Sequence, residues 1–239
     1  MKNYIGIFDS GIGGTTTLKE IQKLLPNENY LYFSDSKNNP YGEKSKNELY
    51  NIVKHNVNKL LLHHVKLIVI ACNTVTTQFI NVLRQEYPNV LFIGTEPAVK
   101  VACDNNYKNT LVMATPATIN SEKLHCLINK NKKPNQKFTL LECFGLANAI
   151  ENNDDILIDN TLKKLFKNYT NKNFDSIVLG CTHYPIIKDK IKAYFPNAKL
   201  IDGNLGVAKR VKYILSVNNL FNNSKTKGQI KFITNKKNN

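Results

Sequence analysis

The sequence predicts an α/β fold with mainly parallel sheets flanked by helices, and three observations carry that prediction. Short β-branched runs alternate with stretches of helical apolar spacing along almost the whole chain, as they do where crossover helices join parallel strands. The runs stop abruptly at small polar residues, where open α/β sheets place their ligands at the strands' carboxyl ends. Two of those stops share one design. Ile68-Val69-Ile70-Ala71-Cys72-Asn73-Thr74 and Ile177-Val178-Leu179-Gly180-Cys181-Thr182-His183 each pass from an apolar run through a small residue to a cysteine, with a helix expected next. Two such elbows point to two half-sites facing one another across a shared cleft.

The first strand, Ile5-Gly6-Ile7-Phe8, ends at Asp9-Ser10-Gly11-Ile12-Gly13-Gly14 and leads to a helix over 15–25 that Pro26 stops. A glycine-rich turn of this kind lets backbone N–H groups approach an anion. It is neither a dinucleotide fingerprint, since Thr16 stands where a third glycine would fall, nor a P-loop, since no Gly-Lys-Ser/Thr follows. A second strand at 30–33 runs into the polar loop from Asp35 to Pro40-Tyr41-Gly42, read as a substrate lid or a plain turn. Ser45 and Glu48 have the spacing of a capping box for the next helix, which carries an apolar stripe from Leu49 to Leu61. Past the first elbow and a strand at 90–93, the pattern restarts at 110–113. That strand ends at Ala114-Thr115-Pro116-Ala117-Thr118, and strands near 138–141, 175–179 and 198–201 follow, then a helix at 205–215. The polar tail from Asn218 reads as peripheral, with one possible strand at 229–234.

Bulk properties exclude several classes. Hydrophobic residues make up 42% of the 239, which argues against wholesale disorder. No apolar run approaches the roughly 20 residues of a membrane span, and the first residues lack a signal-peptide pattern, so a cytoplasmic location is expected. Five cysteines without a CxxC are expected as thiols, with Cys103, Cys126 and Cys143 as buried structural ones. Cys181 and His183 supply two ligands where zinc needs more, so no metal is expected. The net charge of +15, with Arg84 and Arg210 the only arginines, looks like lysine-rich bias. It predicts a solvated basic tail after Asp202 and nucleic-acid contact no stronger than weak, non-specific retention.

Two matched thiols suit a reaction that needs an acid on one face and a base on the other, as stereochemical inversion at carbon does. His183 stands two residues from Cys181, and Asp9 could assist the other thiol.

Those same residues carry a resemblance. The chain resembles the cofactor-independent glutamate racemases over almost its full length, in five ordered elements: Asp9 to Gly14, Asp35 through Pro40-Tyr41-Gly42, Ala71-Cys72-Asn73-Thr74, Glu96-Pro97-Ala98, and Gly180-Cys181-Thr182-His183-Tyr184-Pro185. The resemblance implies two pseudo-symmetric α/β domains with the active site between them. The first would comprise 1–96 completed by 204–239, and the second 97–203. It implies Cys72 and Cys181 as the catalytic acid–bases, with Asp9 and His183 assisting. Substrate-holding positions would be Asp9, Ser10, Pro40, Tyr41, Gly42, Cys72, Asn73, Thr74, Thr115, Thr118, Cys181, Thr182 and His183, with Glu151 near the ammonium group. It further implies interconversion of L- and D-glutamate for peptidoglycan synthesis, no cofactor and a homodimer. The alternative is a racemase for aspartate or another acidic amino acid.

Overall fold

In the computed structural model, which describes residues 4–235, the alternation resolves into two separate parallel sheets. The first half contains β1 (Tyr4–Asp9), α1 (Thr15–Leu24), β2 (Asn29–Ser34), α2 (Lys46–Leu61), β3 (Val65–Ile70), α3 (Asn73–Glu86) and β4 (Phe92–Gly94). The second contains α4 (Val99–Asp104), β5 (Asn109–Ala114), α5 (Pro116–Ile119), α6 (Glu122–Asn131), β6 (Lys137–Glu142), α7 (Leu146–Glu151), α8 (Asp155–Phe166), β7 (Ser176–Leu179), α9 (Lys188–Tyr194) and β8 (Lys199–Ile201). The chain then returns to the first sheet through α10 (Asn204–Val217) and β9 (Ile230–Thr234). Strand orders are β4-β3-β1-β2-β9 and β6-β5-β7-β8.

The alternation of side chains along β3 explains why the first sheet is covered twice. Ile68 and Ile70 face one side, where they meet Leu49, Val53 and Val57 of α2 and Phe79 of α3. Leu67 and Val69 face the other, against Leu18 and Ile21 of α1 and Val207 and Val211 of α10. A strand buried on both faces carries no polar alternation, and each such side chain contributes about 1.5–3 kcal/mol on leaving water. The second sheet repeats this, with Leu111, Met113, Ile177 and Leu179 on one face and Val112, Ala114 and Val178 on the other.

Lys66 is the polar interruption of β3. Its ammonium is buried against the carboxylate of Glu28 and donates to the carbonyl of Leu220 at 2.8 Å. Glu28 also accepts the N–H of Asn222 at 2.7 Å. This buried pair therefore anchors the segment between α10 and β9.

The structure corrects the reading of the tail as peripheral. β9 pairs in parallel with β2, from Tyr30↔Ile230 to Ser34↔Thr234, and the ring of Phe232 lies 5.7 Å from that of Tyr32. Alternation is weak in Ile230–Thr234 because an edge strand buries little of either face, so the pattern that reveals central strands is faint here. Helix α4 was also unannounced in the sequence; at six residues it is too short to show a period. The capping box is half formed: Ser45 Oγ accepts the N–H of Glu48 at 3.3 Å, while the Glu48 carboxylate pairs with Lys44 at 2.7 Å. No helix of the described residues is long and apolar enough to cross a membrane.

Candidate active site

The carboxyl ends of β1, β3, β5 and β7 bring Asp9, Cys72, Thr74, Thr115, Thr118, Cys181, Thr182 and His183 to one cleft between the halves. Asp9, the last residue of β1, is fully buried. Its Oδ2 accepts the N–H groups of Gly14 at 2.9 Å and Gly11 at 3.2 Å, and its Oδ1 accepts the hydroxyl of Thr182, from the other half, at 3.2 Å. The glycine-rich turn thus wraps its N–H groups around the protein's own carboxylate. A Cβ on Gly14 would stand 2.6 Å from that of Asp9, so glycine is required for the wrap. Burial pushes the Asp9 carboxyl up to about 6, against the opposing pull of His183 and the two N–H groups.

Cys72 is the N-cap residue of α3. Burial raises its thiol well above the usual range and the Asp9 carboxylate adds to this, while the Val75 N–H and the Ser10 hydroxyl hydrogen-bond the sulfur and oppose the rise. Cys72 therefore rests as a thiol.

Cys181 follows β7, and here the symmetry of the two elbows fails. A turn and a 3-10 segment, Tyr184–Ile187, intervene before α9 begins at Lys188. The expectation of a helix directly after each cysteine is corrected: of the two, Cys72 alone sits at an α-helix N-terminus. Pro185 is the reason, because it has no N–H to give the Cys181 carbonyl four residues back, which the Tyr184 N–H takes instead at 3.1 Å in a 3-10 turn. Cys181 instead has a histidine partner. Its Sγ lies 3.7 Å from His183 Nδ1, and His183 Nε2 lies 2.7 Å from Glu151 Oε2. Burial alone would lower the imidazole, but its bonds to Cys181 and Glu151 outweigh burial and raise it to about 10. Glu151 is held below its ordinary value because the bonds from His183 and the Ile12 N–H outweigh burial.

Glu151 also ties the halves together. Its Oε2 accepts the Ile12 N–H at 2.8 Å and its Oε1 the Ser36 hydroxyl at 2.8 Å. The position placed by resemblance near an ammonium group is, in this structure, occupied with His183, Ile12 and Ser36. Replacing the carboxylate by an amide, Glu151→Gln, leaves a buried imidazolium without its counter-charge. Its His183 pKa is then expected to fall and turnover to drop by about tenfold to a hundredfold, the worth of one or two charge-assisted bonds. An NMR titration of the His183 ring beside the rate measurement checks this, and an unmoved His183 pKa refutes it.

At the other end of the cleft, hydroxyls from both halves meet. Thr74 Oγ1 lies 2.9 Å from Thr115 Oγ1 and 3.4 Å from Thr118 Oγ1. Gly42 presses on Thr115, where an added Cβ would come within 2.5 Å. Tyr41 is placed differently from a cleft-facing residue: its hydroxyl donates to the buried Asp35 and accepts from Asn56 Nδ2 at 3.0 Å. Asn73 Nδ2 donates to the Thr95 carbonyl at 3.0 Å, and the Asn39–Pro40 peptide is cis.

Sequence reading missed Ser36 and Asn56. Asn56 had a signal, since it interrupts the apolar stripe of α2 and is 1% exposed, whereas Ser36 is one polar loop residue among several. Cys103 and Cys143 are buried, but Cys126 is exposed, a correction. It stands on the face of α6 away from Leu124 and Ile128, on the wall of a separate cavity of about 650 Å³ that includes Lys46, Gln78 and Asn120. Among the described residues no group of three or more His, Cys, Asp or Glu is placed to hold a metal ion.

Paired thiols offered from two facing parallel sheets, one beside a carboxylate and one beside an imidazolium, define a class. The chain belongs to the Asp/Glu/Hydantoin racemase family, whose model matches residues 22–211, and it is accordingly a racemase, an isomerase. Its relatives narrow the class. The glutamate racemase of Clostridium botulinum (strain Alaska E43 / Type E3) is 42% identical over 96% of this chain and 90% of its own length. A crystal structure of glutamate racemase from Francisella tularensis subsp. tularensis SCHU S4 in complex with D-glutamate is 32% identical, covers 98% of this chain and 89% of its own, and superposes with a TM-score of 0.83. Glutamate racemase isoform RacE1 from Bacillus anthracis gives 0.85 at 28% identity, covering 97% of this chain and 88% of its own.

Proposed function

We propose that the protein interconverts L- and D-glutamate by proton transfer at the α carbon between two thiols, supplying D-glutamate for peptidoglycan. The observation that carries this reading is the pair of thiols offered from the two halves, each beside its own ionisable partner. Cys181 stands 3.7 Å from Nδ1 of His183, which is held as imidazolium, and Cys72 is buried beside Asp9, which helps burial hold its thiol up. Such a site offers one proton-transfer group to each face of the α carbon. In the L to D direction, Cys181 takes the α proton and Cys72 returns one to the opposite face. In the reverse direction the roles exchange.

Asp9 and Thr182 offer acceptors suited to the substrate ammonium group. The hydroxyls of Thr74, Thr115 and Thr118, with Ser10, Asn73 and the backbone N–H groups of Tyr41 and Gly42, suit its carboxylates, and Pro40, which has no N–H, packs beside them. The pairing of β9 with β2 and the packing of α10 on the same sheet support 1–96 with 204–239 as one domain and 97–203 as the other. A homodimer, resting on the resemblance, and a cytoplasmic location, resting on the sequence patterns, are the proposed assembly and setting.

Circular dichroism tests the substrate. Initial rates on L-glutamate are expected to exceed those on L-aspartate, and faster turnover of aspartate sinks the choice of substrate.

A further inference from the structure

β9 reaches further into the molecule than its edge position requires. Its register with β2 sets Thr234 opposite Ser34, so Asn235 falls beside Asp35, one step beyond the paired strands. Asp35 is fully buried. It accepts from Asn56 Nδ2 at 2.6 Å, from Asn38 Nδ2 at 2.8 Å and from the Tyr41 hydroxyl. Asn235 Nδ2 donates to the same carboxylate, and Asn235 Oδ1 accepts the N–H of Lys37 at 3.1 Å. Donating to a carboxylate while accepting from an amide is something an asparagine side chain does and an aspartate or alanine does not.

The loop held in this way makes three contacts across the cleft. The Ser36 hydroxyl donates to Glu151 at 2.8 Å, Gly42 packs on Thr115, and Glu43 Oε1 accepts the N–H of Gly145 at 3.2 Å. We infer that Asn235 is a positioning residue for the active site: through Asp35 and the Lys37 amide it fixes the 35–43 loop in the form that meets the second half of the cleft. The inference rests on the reading of that cleft as the racemase site, and on no contact of Asn235 with substrate.

Two readouts on Asn235→Ala test it. Amide hydrogen exchange of a peptide covering 35–43 needs no turnover and is expected to speed up relative to wild type. With L-glutamate, KM is expected to rise about fivefold, the effect of one net hydrogen bond that orders a binding loop, with kcat within about twofold. Asn235→Asp, which retains the acceptor but brings a second carboxylate to Asp35, should be at least as impaired. Lys231→Ala, an exposed change on the same strand, should alter neither readout. Unchanged exchange in the loop overturns the inference, as does faster exchange with an unchanged KM. A lower melting temperature with unchanged kinetic constants per folded molecule also overturns it, since that is a merely structural anchor. Absence of glutamate racemisation by the wild-type protein would instead count against the functional reading, and loop exchange would still decide the role of Asn235.

Discussion

Cys72→Ser and Cys181→Ser are each expected to lose racemisation by about 10²–10⁴-fold, the usual worth of a general acid or base, while still binding glutamate. Serine keeps the shape of the side chain but does not ionise near neutral pH, so each variant lacks one of the two proton-transfer groups. The variants should differ where only one face is used. Elimination of a β-leaving group from a substrate analogue needs a base on one face alone. Cys72→Ser retains Cys181 with its His183 partner at 3.7 Å and should still eliminate from the L-analogue. Cys181→Ser should still eliminate from the D-analogue. If either variant racemises at near the wild-type rate, a one-base mechanism replaces the two-thiol one.

Asp9→Asn is expected to make the protein more stable and less active. The carboxyl is fully buried and its folded-state pKa is raised from 3.8 to about 6. A group raised in the folded state contributes stability that is fully present below its unfolded pKa and lost as pH rises through the folded one. At pH 8 the ionised Asp9 therefore costs up to roughly 3 kcal/mol, at 1.36 kcal/mol per unit. Asparagine removes the charge but keeps an acceptor for the Gly11 and Gly14 N–H groups. Its melting temperature should exceed that of the wild type above pH 6, and the gap should close as pH falls towards 4. Thermal melts across pH 4–8 provide the check, and a gap that does not vary with pH contradicts it. Racemisation should fall by about a hundredfold or more, as for loss of a group that bears on proton transfer.

The two sheets were legible because their central strands are β-branched runs of four to six residues ended by small polar ones, and burial on both faces leaves that signature. The two cysteine elbows were legible for the same reason, since a strand end followed by a small residue has little choice but to turn. What the elbows do next was not. Cys72 caps a helix and Cys181 does not, and that difference depends on Pro185 lacking the N–H that would close an α-helical turn onto Cys181, rather than on any period. Ser36 and Glu151 lie 115 residues apart, and no local pattern joins them. The pairing of β9 with β2 is equally non-local, and a short exposed strand of lysine and isoleucine gives few clues to its neighbour.

The return of the chain to its first sheet also constrains how the protein is made. Tyr30 meets Ile230, so the edge of β2 waits for 200 further residues (230 minus 30). At synthesis rates of about 5–20 residues per second, that wait is on the order of 10–40 s. The sheet of β5 to β8 comes from one continuous stretch and is finished earlier. During the interval, one face of the first sheet lacks α10 and its outer strand lacks a neighbour, leaving a polar edge and an apolar surface uncovered on the nascent chain. Such surfaces are where chaperones bind and where unfinished chains associate.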